Sequence, residues 1–386
     1  MFLFERLIGV GTYALLLVLI CFSLVGKNHK SIKKILFFYS IILSVLAFFY
    51  VPYKTADLYR IYKYVEAFKD YSFSSFLKNQ VSKSDLGVSG ILYWLIGQIG
   101  IPQLLPAIVT FVCYSCIFYI IYKTAEKNQI SGKNVAIALF FYMSTGNYMF
   151  VVTGIRCMLG ISLLSFCFFR ESVERKFSII HIPLYIIAAF IHTFSAVLIA
   201  ARFVISIFDT KTTLGRKLIY FVLLGAGIVL VFRNFSGYLD AIMEKADAYL
   251  NGDLYSYVWE YVIAILTSLV IICVFVKRNT IKEGSNLNLN LWLLYAMAMF
   301  VISLCVCYEF TIFHRLTTYI MPIIALPLLM TALQSNDNMR KEINNRVRTV
   351  GEIPLNLNSF VVIVSVLMLL VACSRGSLSS LKFFVW

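Results

Sequence analysis

The stretch FSIIHIPLYIIAAFIHTFSAVLIAARFVISIF, residues 177–208, decides the fold. It is apolar along 32 residues and lies between two basic clusters, Arg170, Arg175 and Lys176 before it and Lys211, Arg216 and Lys217 after it. As one helix it would run about 48 Å, well beyond the roughly 30 Å hydrocarbon core of a bilayer. Basic clusters at both ends also require an even number of crossings, because positive loops collect on one side of a membrane. The stretch therefore predicts a hairpin of two short spans, 177–191 and 193–208, with its tight turn at His192.

The same pattern extends in both directions. Ten further apolar runs read as spans: roughly 4–25, 35–51, 104–122, 135–152, 155–169, 218–232, 257–276, 289–307, 316–333 and 355–373. Hydrophobic residues make up 60% of the chain and charged residues 14%. A water-soluble fold of this length has too little interior to hide that much apolar surface. Alternating segments of about ten residues, the mark of a membrane barrel, are absent. The expectation is an all-α, polytopic membrane protein, a single transmembrane domain over 1–386 with about twelve spans. The apolar run that ends at Val25 reads as a first membrane helix and not as a removable leader, since no basic segment or small-residue cleavage site stands out.

Six short connections hold 20 of the 34 lysines and arginines, which places them in the cytoplasm and both termini outside. The segment 86–100 is apolar, glycine-rich and short. Were it to cross, the Lys123–Lys133 connection would move to the outside, so it reads as a re-entrant or interfacial helix. The outer loops are then about 52–85 and 233–256, and the longest cytoplasmic loop about 334–354.

The net charge of +15 does not point to nucleic acid, because the basic residues are dealt out between apolar runs. The nine cysteines lie in or at the ends of those runs, where a disulfide framework or zinc site would not. No metal cluster is visible and no cofactor is expected. A phosphate-binding P-loop, an H-E-x-x-H helix and a G-x-S-x-G elbow are all missing. An enzyme of this kind would need a substrate that carries its own driving force.

The informative polar residues fall on the side poor in positive charge. In TADLYRIYKYVEAF, residues 55–68, Tyr59, Tyr62 and Glu66 share one helix face, and Asp57, Arg60 and Tyr64 the neighbouring one. This fits an amphipathic helix at the interface, or a sugar platform with a carboxylate able to take a hydroxyl proton. Arg156, after Gly154, enters an apolar helix that contains Gly160. It either snorkels to head groups or offers a forked donor to pyrophosphate. His192 is either a satisfied interfacial residue or a proton acceptor. In YEFTIFHRLTTYIMP, residues 308–322, Arg315 and Tyr319 share a face, with Glu309 and His314 beside them and Pro322 expected to loosen the helix. A Glu309–Arg315 ion pair closing the loop is the plainer reading of that segment.

Taken in order, these motifs resemble the EpsG-like, Wzy-type family of bacterial polysaccharide polymerases. The resemblance rests on Asp57 with Tyr59 and Tyr62, Gly154 with Arg156, His192-Thr-Phe-Ser-Ala, and Arg315 with Tyr319. Asp85-Leu86-Gly87-Val88 stands where the family often carries an acidic-Pro-Gly-aromatic stretch. The resemblance implies a GT-C-like helical bundle in the bacterial cytoplasmic membrane. It implies joining of undecaprenyl-pyrophosphate-linked oligosaccharide repeats into O-antigen, capsule or exopolysaccharide on the outer face. Arg156 and Arg315 would grip the donor pyrophosphate and His192 or Asp57 would deprotonate the acceptor. Tyr59, Arg60, Tyr62, Asp85, Glu309, His314 and Tyr319 would bind substrate. The implied partners are the lipid-linked oligosaccharides and the bilayer, with a flippase and a chain-length regulator beside them.

Two other classes fit less well. A flippase of lipid-linked oligosaccharide should place charges at mid-membrane in two matched halves, whereas only Arg202 is clearly inside a span. A membrane O-acyltransferase should carry its histidine early in the chain.

Overall fold

The computed structural model describes residues 2–54, 56–81, 87–173, 180–208, 218, 258–283, 287, 289–307, 313–346, 356–374, 378 and 381–383. Asp85, Glu309, the expected span 218–232 beyond Leu218 and the expected outer loop 233–256 lie outside the described residues. The described elements are helices, joined by one isolated antiparallel bridge between Tyr50 and Phe383. In chain order they are α1 (Phe2–Leu24), α2 (His29–Phe48), α3 (Asp57–Ala67), α4 (Phe73–Val81), α5 (Gly87–Ile99), α6 (Leu104–Lys127), α7 (Gly132–Ser144) and α8 (Asn147–Thr153). There follow α9 (Ile155–Ser172), α10 (His181–Ile191), α11 (Thr193–Phe208), α12 (Val258–Val276), α13 (Arg278–Glu283), α14 (Asn290–Cys305), a π-helical turn (Arg315–Ile320), α15 (Met321–Arg346) and α16 (Leu357–Ser374).

Six of these helices are long and apolar enough to cross a membrane, and a bent pair, α7 with α8, would make a seventh. The surface agrees with a lipid solvent: Phe22, Val276, Phe190 and Leu370 are each more than 60% exposed, where water would disfavour them. The helices are graded from rim to centre. In the unit formed by the π-helical turn and α15, 94% of the apolar window is buried, against 28% in α1 and 33% in α2. Ile323, Ile324, Leu326, Leu328, Leu329, Met330 and Leu333 are fully enclosed, as expected of a helix apolar all round.

The apolar stretch read first does fold as a hairpin. Arg202 of α11 lies over the ring of Tyr185 in α10, 5.3 Å from its centroid, and this pairing across the His192 turn requires the two arms to lie side by side. Both arms rest on α9. At Gly160 an added Cβ would meet Ser195 Oγ, so the glycine lets the hairpin seat closely with that hydroxyl in place. At the far end of the arms, the carboxylate of Glu171 accepts from His181 Nδ1 at 2.9 Å, from the Tyr185 hydroxyl at 3.0 Å, and from the Arg202 guanidinium.

Two stretches take a form that their composition alone does not show. The run 135–152 is not one straight span: α7 and α8 meet at 56°, with Gly146 at φ +82 between them. The buried carbonyls freed there are taken up locally. Tyr13 donates to Met143 O at 2.8 Å, and Thr145 Oγ1 donates to Tyr142 O at 2.8 Å. The connection expected over 334–354 is helical in its first part, where α15 continues to Arg346. Its polar residues have partners at that end: the Asp337 carboxylate accepts from Asn134 at 3.0 Å and from Asn358 at 2.9 Å, and Thr331 accepts from Asn128 at 3.0 Å.

The bundle thus has two chemically distinct ends. The amide-rich end joins residues near 24–29, 125–134, 287 and 331–358. The other end joins residues 50–51 to 382–383 and 150 to 314–319. Segments expected on opposite sides of the membrane are separated in this way.

Candidate functional site

The second end is built from three backbone irregularities, each of which presents a polar side chain. The first is the interruption at Gly154, between α8 and α9, where a Cβ would press to 2.9 Å on Phe150 O. It starts α9 afresh and puts Arg156, half-buried, in that helix's first turn. The second is the hairpin turn, where His192 is extended (φ −154, ψ 130) and half-buried.

The third is the π-helical turn Arg315–Ile320, set directly before Pro322, which cannot donate to the preceding turn. Two threonines bond back to the carbonyls of that turn: Thr317 Oγ1 to Phe313 O at 2.8 Å and Thr318 Oγ1 to His314 O at 2.5 Å. Arg315 opens the turn and Tyr319 lies within it, both half-buried while their neighbours Leu316, Thr317, Thr318 and Ile320 are buried. Among the described residues no carboxylate pairs with Arg315.

These three places converge. Burial, then the Arg315 guanidinium and then that of Arg156, hold the His192 imidazole down to about 4. The same two guanidiniums act on Cys157. Residues 156, 192 and 315, far apart in the chain, therefore share one electrostatic environment. The Phe150 ring packs on Tyr319 with centroids 3.7 Å apart and on His314 at 5.4 Å. His314 itself is buried, and burial with the neighbouring Arg315 holds it down to about 3.

The α3 candidates lie on the less buried sides of their helix. Leu58, Ile61 and Val65 form the buried face. Asp57 and Arg60 pair with each other on the exposed side, and Tyr59 lies under the Lys63 ammonium at 5.0 Å. Tyr62 is half-buried, and its hydroxyl is enclosed without a hydrogen-bond partner among the described residues. Asp57 still lies within electrostatic reach of Tyr319 and of Tyr93.

Two residues that sequence reasoning passed over belong here. Tyr93, on α5, is buried and within reach of both Arg156 and Asp57. Its helix is the short segment expected to be re-entrant. It has 13 residues, and Gly97 allows it to rest against Val65 O of α3. Glu260, in the first turn of α12, acts on Tyr319 from a second helix. Chemically, the arrangement offers two guanidiniums beside a neutral imidazole, with carboxylates and phenols around them. Such a set can neutralise a multiply charged anion and hydrogen-bond a polyol.

The family model described as the EpsG family matches residues 59–344, well over half of the chain. No curated protein and no solved structure matches it.

Proposed function

Since the chain belongs to the EpsG family, we propose that it polymerises polysaccharide in the bacterial cytoplasmic membrane, as a glycosyltransferase acting on lipid-linked oligosaccharide repeats. The observation that carries this reading is the convergence of Arg156 and Arg315 on His192 at one end of an apolar helical bundle. Two half-buried guanidiniums in a weakly polar setting suit a pyrophosphate that must leave as a bond forms. The donor is a glycan on undecaprenyl pyrophosphate and the acceptor is the sugar end of a second lipid-linked repeat, as in Wzy-type polymerases.

In this reading Arg156 and Arg315 hold the donor pyrophosphate, and Tyr319, Tyr93 and Tyr62 position sugars by ring and hydroxyl together. His192, neutral well above pH 4, serves as hydrogen-bond partner to phosphate or sugar. The site end of the bundle faces the outside, as the distribution of basic connections supports.

Purified protein in proteoliposomes, supplied with defined lipid-linked repeats, tests the reading. Conversion of single repeats to a ladder, with release of polyprenyl pyrophosphate, is the expected result. Repeats that change leaflet without lengthening would instead make the protein a flippase.

A further inference from the structure

Glu260 begins α12 beside the π-helical turn, where the rings of Tyr261 and Phe313 stack with centroids 6.0 Å apart. The side chain is half-buried, and its Oε2 atom is enclosed with no hydrogen-bond partner among the described residues. A carboxylate oxygen shut away from water without a donor is costly, so such a group beside the candidate site points to a hydroxyl supplied by a ligand. Its neighbour at the site is Tyr319, on which Arg315, Glu260 and Asp57 all act.

Among the described residues, the two groups that the sequence offered as proton acceptors are poorly placed for it. Asp57 is engaged by Arg60 at an exposed helix start. His192 is a weak base, because burial and two guanidiniums disfavour its charged form.

We infer that Glu260 is the proton acceptor for the attacking sugar hydroxyl, an assignment that rests on the polymerase reading above. The acceptor O–H bond breaks and its proton passes to the Glu260 carboxylate. The hydroxyl oxygen bonds to the anomeric carbon of the donor glycan as the bond from that carbon to the pyrophosphate oxygen breaks. The electron pair leaves on the pyrophosphate, held by Arg156 and Arg315, and Glu260 later releases its proton to water.

The test is turnover by purified protein in proteoliposomes with lipid-linked repeats, kcat and KM measured separately, for wild type, Glu260→Gln and Glu260→Asp. Loss of a general base predicts a kcat about 10²–10⁴-fold lower for Glu260→Gln with KM unchanged, and partial activity for Glu260→Asp. Wild-type kcat in Glu260→Gln overturns the assignment and leaves the polymerase reading standing. So does a raised KM with kcat near the wild-type value in both variants, which would make Glu260 a binding group. A wild-type protein that builds no ladder removes the polymerase reading itself.

Discussion

The rings of Phe150 and Tyr319 lie 3.7 Å apart, centroid to centroid, and join the two irregular stretches of backbone that carry Arg156 and Arg315. Phe150 belongs to the short helix after the break at Gly146, and Tyr319 to the π-helical turn before Pro322. Neither irregularity would be stable facing lipid, where each freed backbone group must find a partner. Packed on each other, they are covered by protein and bring two arginines to one place.

Each arginine should be needed separately. Arg156→Ala and Arg315→Ala are expected to lower polymer formation by about 10²-fold or more, the usual cost of removing one preorganised donor to developing negative charge. Lysine should restore only part of this, because it lacks the planar fork. Turnover in proteoliposomes at equal protein content checks both.

Gly160 should be coupled to Ser195. An alanine at Gly160 sets its Cβ against Ser195 Oγ, which must turn aside or push α11 from α9. Overpacking of this kind costs about 1–3 kcal/mol. The double variant Gly160→Ala/Ser195→Ala should recover most of that loss in thermal unfolding in detergent, since the clashing oxygen is gone. Additive losses would show that Ser195 Oγ is not the obstacle.

Breaking the buried cluster at the far end of the hairpin should be worse than replacing it. Glu171 and Arg202 are both nearly enclosed. Arg202→Met alone leaves a buried carboxylate without its cation and should cost about 3–5 kcal/mol. The double variant Arg202→Met/Glu171→Gln should be less destabilised than the single, measured by the same thermal assay.

Acid should weaken the fold through His192 and His314. His192 and His314 are held down to about 4 and about 3, below the ordinary value of 6.5. Above about pH 6.5 neither state binds these protons and their contribution to stability is complete. As the pH falls from 6.5 towards 4 and then 3, the unfolded chain takes up protons that the folded chain refuses, and stability is lost. His192→Asn should flatten the decline between pH 6.5 and 4 in melting temperatures taken across that range.

Much of the helical organisation was legible in the sequence because membrane spans announce themselves by length and by the charge between them. The hairpin at His192 follows from 32 apolar residues between two basic clusters. The break at Thr145-Gly146-Asn147 carries a turn signal, yet apolar residues on both sides conceal it within one span-length run. The continuation of α15 to Arg346 was hidden because Gln334 and Asp337 look like loop residues until Ser131, Asn134 and Asn358 are seen to satisfy them. Arg156, His192 and Arg315 stood out as polar groups in apolar surroundings. Glu260 and Tyr93 did not, since a carboxylate or a tyrosine near a helix end is ordinary until its neighbours are known.

The most direct measurement is the length distribution of surface glycan in a strain lacking this protein and complemented with wild type, Arg156→Ala or Arg315→Ala at matched membrane levels. Single repeat units are expected in the deletion strain, a full ladder with wild type, and no ladder with either variant. A full ladder with both alanine variants, or lipid-linked repeats held in the inner leaflet by the deletion, would rule out polymerisation at the paired arginines.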